Sequence, residues 1–389
     1  MKATLKKFML YVILALLSIQ NVCLQVSIHK VSVSKQDHSI SQIGQLVKSY
    51  ELIQLEMLKD DFLAEISKVI TTSEFIYVLD SELNRLIQFD KQGKYIRQIG
   101  KMGEGYDEFR DISDFDVDNV GNIYILSNRN WGYLKYSKQG KFLQKYSSGK
   151  TAVSHIGVLD PDFVICGSNH FDEDFHNVLV INKKGQVIKK MHPYPKNRYQ
   201  MSFGFTGGMT RSGDMILYAE PASCYIHKIK ISEGEVFSEK AFEMDLGKNM
   251  WKCEDHTDIE AFWNKASALP EDLSYLKQNF RATDQYLFFA YQEYNRIKNG
   301  LYSLSSGKLI LMDKLTPGLL QNAIKFNPVK GIENQKFLYS IDEELWFYLK
   351  RESERIKNTE IIDAQLWKVM KDIRGDGSDP YYLLVVEFH

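Results

Sequence analysis

One stretch of this chain occurs twice, in register. Phe75-Ile76-Tyr77-Val78-Leu79-Asp80, followed by Phe89-Asp90-Lys91-Gln92-Gly93-Lys94-Tyr95, returns as Asn122-Ile123-Tyr124-Ile125-Leu126, followed by Tyr136-Ser137-Lys138-Gln139-Gly140-Lys141-Phe142. Tyr77 and Tyr124, Phe89 and Tyr136, and Gly93 and Gly140 are each 47 positions apart, so the match spans two strands and the turn joining them. A period in the forties built from strand-type segments marks propeller blades, small sheets that bury their faces only against their neighbours. Length alone, 389 residues, would allow two or three ordinary domains. A ring of blades is one domain however long it grows.

The clear copies read strand, turn, strand, polar loop, strand, tight turn, strand. Gly93, Gly121 and Gly140 end short turns and supply the positive φ such hairpins need. Weaker copies follow around Phe163 to Gly185, Ser212 to Gly234 and Gln285 to Gly307. A sixth begins at Phe337-Leu338-Tyr339-Ser340-Ile341, and Tyr381 to Val386 supplies a late strand. The fold class expected is all-β, a six-bladed β-propeller with short helical insertions over residues 49–389. The insertions break the period near 248–280, where Pro270-Glu271-Asp272 opens a helix-like start over Leu273 to Phe280, and near 342–374. To close the ring, residues 50–56 should join the blade that contains Tyr381 to Phe388, leaving no free sheet edge.

Residues 1–22 have the order of a secretory signal, with Lys2, Lys6 and Lys7 ahead of an apolar run from Phe8 to Leu17. Residues 23–48 read as a polar leader. The expected location is therefore outside the cytoplasm, in the periplasm or at the outer membrane. Cys23 stands where a lipidated cysteine would, so membrane contact is expected only through the signal or such an anchor. Lysine plus arginine number 49 against 50 acids, a net charge of −1, which provides no field to draw in nucleic acid. Cys166, Cys224 and Cys253 lack zinc-type spacing and read as three thiols, with one disulfide as the alternative.

The residues now support a family resemblance. Ile76-Tyr77-Val78-Leu79-Asp80, Asn84-Arg85-Leu86-Ile87-Gln88-Phe89-Asp90 and Gly93-Lys94-Tyr95, then Ile99-Gly100-Lys101-Met102-Gly103-Glu104-Gly105 and Glu108-Phe109, resemble NHL repeats of six-bladed propellers. The layout is similar to that of the exported six-bladed propeller proteins of Bacteroidetes, with Tyr106 and Asp379 departing from the pattern. The resemblance implies a fold and export, and no substrate.

In a propeller, short turns lie on one face and the longer loops after the second and fourth strands on the other, where a ligand is expected to be read. The candidate ligand-binding residues there are Asn84, Asn128, Arg129, Trp131, His170, Asp172, Glu173, Tyr291, Glu293, Tyr294 and Arg296. Trp131, Tyr291 and Tyr294 are of the type that stacks on a sugar or peptide ring; the same aromatics also pack blade on blade. His170, Asp172 and Glu173, with His176 nearby, are the densest metal-capable group, and a solvated acidic loop is the plainer reading. Asp80 and Arg85 read as an ion pair within a blade. Asp116 to Gly121 half-matches a calcium loop and reads as a hairpin, because Val120 replaces an oxygen ligand. The function expected is ligand or protein binding, or scaffolding, in the cell envelope, with an unknown peptide, glycan or envelope protein as partner and no obligatory cofactor. The alternative is a metal-assisted lyase or lactonase at the central funnel, which would add a divalent ion.

Overall fold

A computed structural model describes residues 28–389 except 148–152, 160–161, 168–175, 194–207, 221–222, 251–273, 295, 326, 354, 356–360 and 373–380. Chain order begins with β1 (His29–Ser32) and β2 (Val47–Gln54). Blade 1 is β3 (Ile66–Thr71), β4 (Phe75–Asp80), β5 (Arg85–Asp90) and β6 (Tyr95–Gln98). Blade 2 is β7 (Asp114–Val117), β8 (Ile123–Ser127), β9 (Gly132–Tyr136) and β10 (Phe142–Ser147). Blade 3 is β11 (His155–Leu159), β12 (Phe163–Gly167), β13 (His176–Asn182) and β14 (Val187–Pro193). Blade 4 is β15 (Gly208–Ser212), β16 (Met215–Ala219), β17 (Tyr225–Ser232) and β18 (Glu235–Asp245). Blade 5 is β19 (Tyr275–Ala282), β20 (Tyr286–Glu293), β21 (Arg296–Ser303) and β22 (Leu309–Leu311). Blade 6 is β23 (Gly331–Glu333), β24 (Lys336–Ile341) and β25 (Tyr382–Phe388), and its outer strand is β2.

These six antiparallel sheets make a six-bladed β-propeller, closed by β2 pairing antiparallel with β25 from Val47↔Phe388 to Gln54↔Tyr382. The closure expected from the sequence is the one observed. Between each pair of neighbouring blades lies one apolar cluster; Tyr77, Leu79, Phe115, Ile125 and Leu134, for example, fill the space between blades 1 and 2. Each middle strand is therefore covered on both faces, which explains why Ile123–Ser127 is buried at every residue instead of alternating. The inner strands approach backbone to backbone: Val69 N–H donates to the Lys330 carbonyl at 2.9 Å. A Cβ on Gly331 would come within 2.1 Å of the Val69 oxygen, so this position admits only glycine without movement.

Two expectations need correcting. The polar leader expected over 23–48 is structured from residue 28 onward, and β1 lies parallel on β18 with Val31 fully buried, adding a fifth strand to blade 4. The helix expected to run on to Phe280 is instead strand β19, with Ser274, Leu276, Phe280 and Ala282 buried on a two-residue alternation. Pairing along β20 outweighs the local proline and acidic signal. The rest of the 248–280 insertion, 251–273, lies outside the described residues. The second insertion is helical as expected, with α2 (Glu343–Ser353) and α3 (Ile361–Asp372). A shorter helix, α1 (Leu319–Lys325), precedes them and packs with Leu349 and Leu366 against blades 5 and 6. Asp363 on α3, 2% exposed, accepts the Leu319 and Leu320 N–H groups at 3.0 Å and so caps α1 from 43 residues away. No helix among the described residues is long and apolar enough to cross a membrane.

Candidate functional site

The inner strands of blades 1, 2, 4, 5 and 6 line an axial channel of about 450 Å3. Its end on the short-turn face is bounded by the turns at Thr72-Ser73, Asp118-Asn119, Gly213, Asp284 and Asn334-Gln335. Four blades each place one cation on it: Lys68 from β3, Arg211 from β15, Arg281 from β19 and Lys330 just before β23.

The four cations differ in what holds them. Lys68 Nζ is paired with Asp114 Oδ1 at 2.8 Å and donates to the Phe115 carbonyl at 2.7 Å. Arg211 donates to the Val117 carbonyl and to Asn119 Oδ1. Among the described residues, Arg281 donates only to its neighbour's carbonyl, that of Phe280, at 2.8 Å. Among the described residues, neither Arg281 nor Lys330 forms an ion pair. Burial pushes Arg281 down to about 10, with Asp114 opposing, so it remains a cation at neutral pH. Lys330 is lowered as well, first by burial and also by Arg281, while Glu65 and Asp342 oppose the shift. Lys330 also lines a second cavity of about 550 Å3 beside α2, together with Glu65, Asn327, Asp342 and Tyr348, so it stands where the two spaces meet.

Asp116, Asp118 and Asp284 line the channel and Asp114 pairs with Lys68 beside it; each has partners, Asp284 Oδ2 accepting the Gln335 side-chain amide at 3.0 Å. Asp114 Oδ2 accepts Ile156 N–H at 3.0 Å, and Asp116 Oδ2 accepts Val158 N–H at 2.7 Å, so β7 ties itself to β11 through side chains. Burial raises Asp116 above the usual carboxylate range despite Arg211 and Lys68. Asp118 accepts N–H groups from Val120 and Asn122 and the Tyr124 hydroxyl, which makes it the organiser of a hairpin, as the sequence suggested. No described residue lining the channel is histidine or cysteine.

The residues singled out in the sequence lie elsewhere. Asn84, Trp131 and Tyr294 occupy matching turns between second and third strands, with φ of 51°, 51° and 50°. Asn84 Oδ1 accepts the Ile112 N–H at 3.2 Å, tying blade 1 to the next linker. Asn128 and Arg129 donate backbone N–H groups to Ser113 Oγ and Asp111 Oδ1 in their own blade. Trp131 and Tyr294 are half exposed, at 48% and 50%, and each holds a left-handed backbone that an aromatic residue adopts at a cost. Tyr291 is only 1% exposed, packed between blades 4 and 5, and burial raises its hydroxyl; it is a core residue with no ring face free for stacking. Glu293 pairs with Lys298 at 2.5 Å, and Arg296 is exposed at the start of β21. Among the described residues, no hydrogen bond or ion pair joins the group at 84, the group at 128–131 and the group at 291–296. His170, Asp172, Glu173 and Cys23 lie outside the described residues. Asp80, fully buried, accepts the Ala64, Glu65 and Leu83 N–H groups and meets Arg85 at 3.4 Å, the ion pair expected within a blade. Cys166 is a free thiol, buried and pushed up to about 12. Cys224 is disulfide-bonded, which corrects the reading of three thiols.

The fold and channel define a six-bladed propeller with a basic axial passage. The chain belongs to the family of the domain of unknown function DUF4934, whose model matches residues 26–369. Among solved structures it is similar to a candidate exported protein from Bacteroides fragilis NCTC 9343, at 17% identity and a TM-score of 0.72, covering 93% of this chain and 100% of that one. It is also similar to a member of the DUF4221 family from Bacteroides vulgatus ATCC 8482, at 8% identity and a TM-score of 0.50, covering 88% and 97%. At these identities the likeness is one of fold. No curated protein matches the sequence.

Proposed function

We propose that this protein is an exported, non-enzymatic binding propeller of the Bacteroidetes type, which takes an anionic ligand into its axial channel. The observation that carries this reading is the pair Arg281 and Lys330, two cations from adjacent blades that line one cavity without an ion-pair partner among the described residues. Both side chains are half-buried, and a charge drawn partly out of water without a partner is held at a cost. A carboxylate arriving with the ligand would offset that cost through charge-assisted hydrogen bonds, which a guanidinium forms in pairs. The volume of about 450 Å3 lies in the range of small-ligand sites. An acidic sugar residue or a peptide carboxylate has the right size and charge.

Export is supported by residues 1–22, by the disulfide at Cys224, since such bonds persist in oxidising compartments, and by the name given to the Bacteroides fragilis neighbour. The lyase or lactonase alternative draws no support from the channel, whose Asp116 and Asp118 already accept backbone N–H groups. Calorimetric titration of the mature protein with oligogalacturonate and with a neutral galacto-oligosaccharide of equal length tests the reading. Binding of the acidic series alone, weakening as salt is raised, is expected. Equal binding of both series, or turnover of either, would overturn it.

A further inference from the structure

At the boundary of blades 3 and 4, away from the axial channel, three side chains from different strands converge. His192 comes from β14, Glu220 from the residue after β16, and His227 from β17. One ligand atom of each lies within 4.8 Å of the other two. His192 Nδ1 meets Glu220 Oε1 at 3.0 Å, and its Nε2 meets Ser238 Oγ of β18 at 2.8 Å. The His192 and His227 rings stand edge to face with centroids 4.5 Å apart.

We propose that His192, Glu220 and His227 bind one divalent transition-metal ion of the zinc type, joining the outer strand of blade 3 to blade 4. Two imidazoles and a carboxylate form the nitrogen and oxygen set preferred by zinc and its first-row neighbours, whereas magnesium and calcium prefer oxygen alone. Ligand atoms around a common tetrahedral ion at about 2.1 Å stand roughly 3.4 Å apart, so the His192 and Glu220 pair is already at ligand spacing. Side-chain rotation closes the remaining distances, which are 4.8 Å or less, and brings in His227. Among the described residues no fourth ligand joins them, and water would complete the set.

Two further observations favour a metal over a simple polar contact. His192 has φ +56° and is followed by Pro193, a backbone strain of roughly 1–3 kcal/mol for a residue that is neither Gly nor Asn. That backbone carries the ring across the blade boundary. Ser238 suits both states of the ring. A neutral His192 that donates Nδ1–H to Glu220 accepts the Ser238 hydroxyl at Nε2. With an ion on Nδ1, the ring proton moves to Nε2 and is donated to Ser238 Oγ, the outer contact that ligating histidines characteristically make.

The test is calorimetric titration of the full mature chain, stripped with chelator, using ZnCl2 and MgCl2, beside the His192→Gln, His227→Gln and Glu220→Gln variants. The expected result is one Zn2+ per chain, no response to Mg2+, and a loss of roughly tenfold or more in affinity for each variant. Absence of stoichiometric Zn2+ binding to the wild type overturns the proposal, as does unchanged affinity in a variant whose circular dichroism is native. Glu220→Gln keeps shape and hydrogen-bonding capacity, so it carries the test if a histidine variant fails to fold.

Discussion

Arg281 and Lys330 are residues that stability alone would not retain, because each is desolvated beside another cation. Replacing both with methionine keeps the stem volume and removes the charge. The Arg281→Met/Lys330→Met protein should melt at the same temperature as wild type or higher; a fall of several degrees would mean that the cations serve the fold. His227 makes a prediction of opposite sign. Burial, with help from nearby His192 and Lys240 and against Glu220, lowers it from 6.5 to about 4. In metal-free protein the unfolded chain then takes up this proton near pH 6.5 while the folded chain resists until about pH 4. Stability is lost as pH falls through that window, by on the order of 3 kcal/mol from this group. Urea unfolding across the window should show the loss in wild type and a flatter profile in His227→Gln. The channel cations leave little trace in the sequence, since Lys68 stands in Ile66-Ser67-Lys68-Val69-Ile70-Thr71 and Arg281 in Tyr275-Leu276-Lys277-Gln278-Asn279-Phe280-Arg281-Ala282, each among other polar residues. A charge in such a strand reads as a solvent-facing residue until the ring shows that the solvent there is an enclosed axis. His192 and His227 are 35 positions apart and share no motif, so only the packing of two blades brings them together.

At the scale of elements, legibility follows the locality of the forces. Gly93 and Gly140, with φ of 88° and 78°, sit where the sequence placed tight turns, because turn chemistry is decided within four residues. The β2 and β25 pairing was readable too, since a ring needs both termini in one blade. Strand β19 was not, because its neighbour β20 and not its own propensity decides its conformation. Nor was α1, whose seven residues include the buried polar Gln321 and Asn322 and whose cap comes from Asp363 on another helix. Asp363→Ala leaves two buried N–H groups unpaired and should cost about 1–2 kcal/mol or more in urea unfolding. Asp363→Asn, which keeps an acceptor, should recover part of that loss. Removing the last ten residues deletes β25, with Tyr382, Leu384 and Val386 fully buried or nearly so. The truncated chain should lose its cooperative melting transition, and an unchanged transition would mean that β2 does not close the ring.

Over the whole molecule, six equivalent blades create an axis that no single blade possesses. Neighbouring blades share one apolar cluster each, so stability is spread around the ring while the charges gather at its centre. This division separates the features that build the propeller from those that give it a task. The repeated Tyr77 and Tyr124 are both buried between blades, and the equivalence that makes the fold recognisable also marks them as construction. Arg211, Arg281 and Lys330 occur without a repeated motif around them, on strands whose positions converge only when the ring closes. The most direct test of the account is the affinity of the mature protein for oligogalacturonate, compared with that of Arg281→Met/Lys330→Met at one low ionic strength. The prediction is saturable binding to the wild type and a loss of roughly tenfold or more in the variant, with folding intact. Equal affinity of the two proteins, or no binding of acidic ligands by the wild type, would contradict the channel as the functional site.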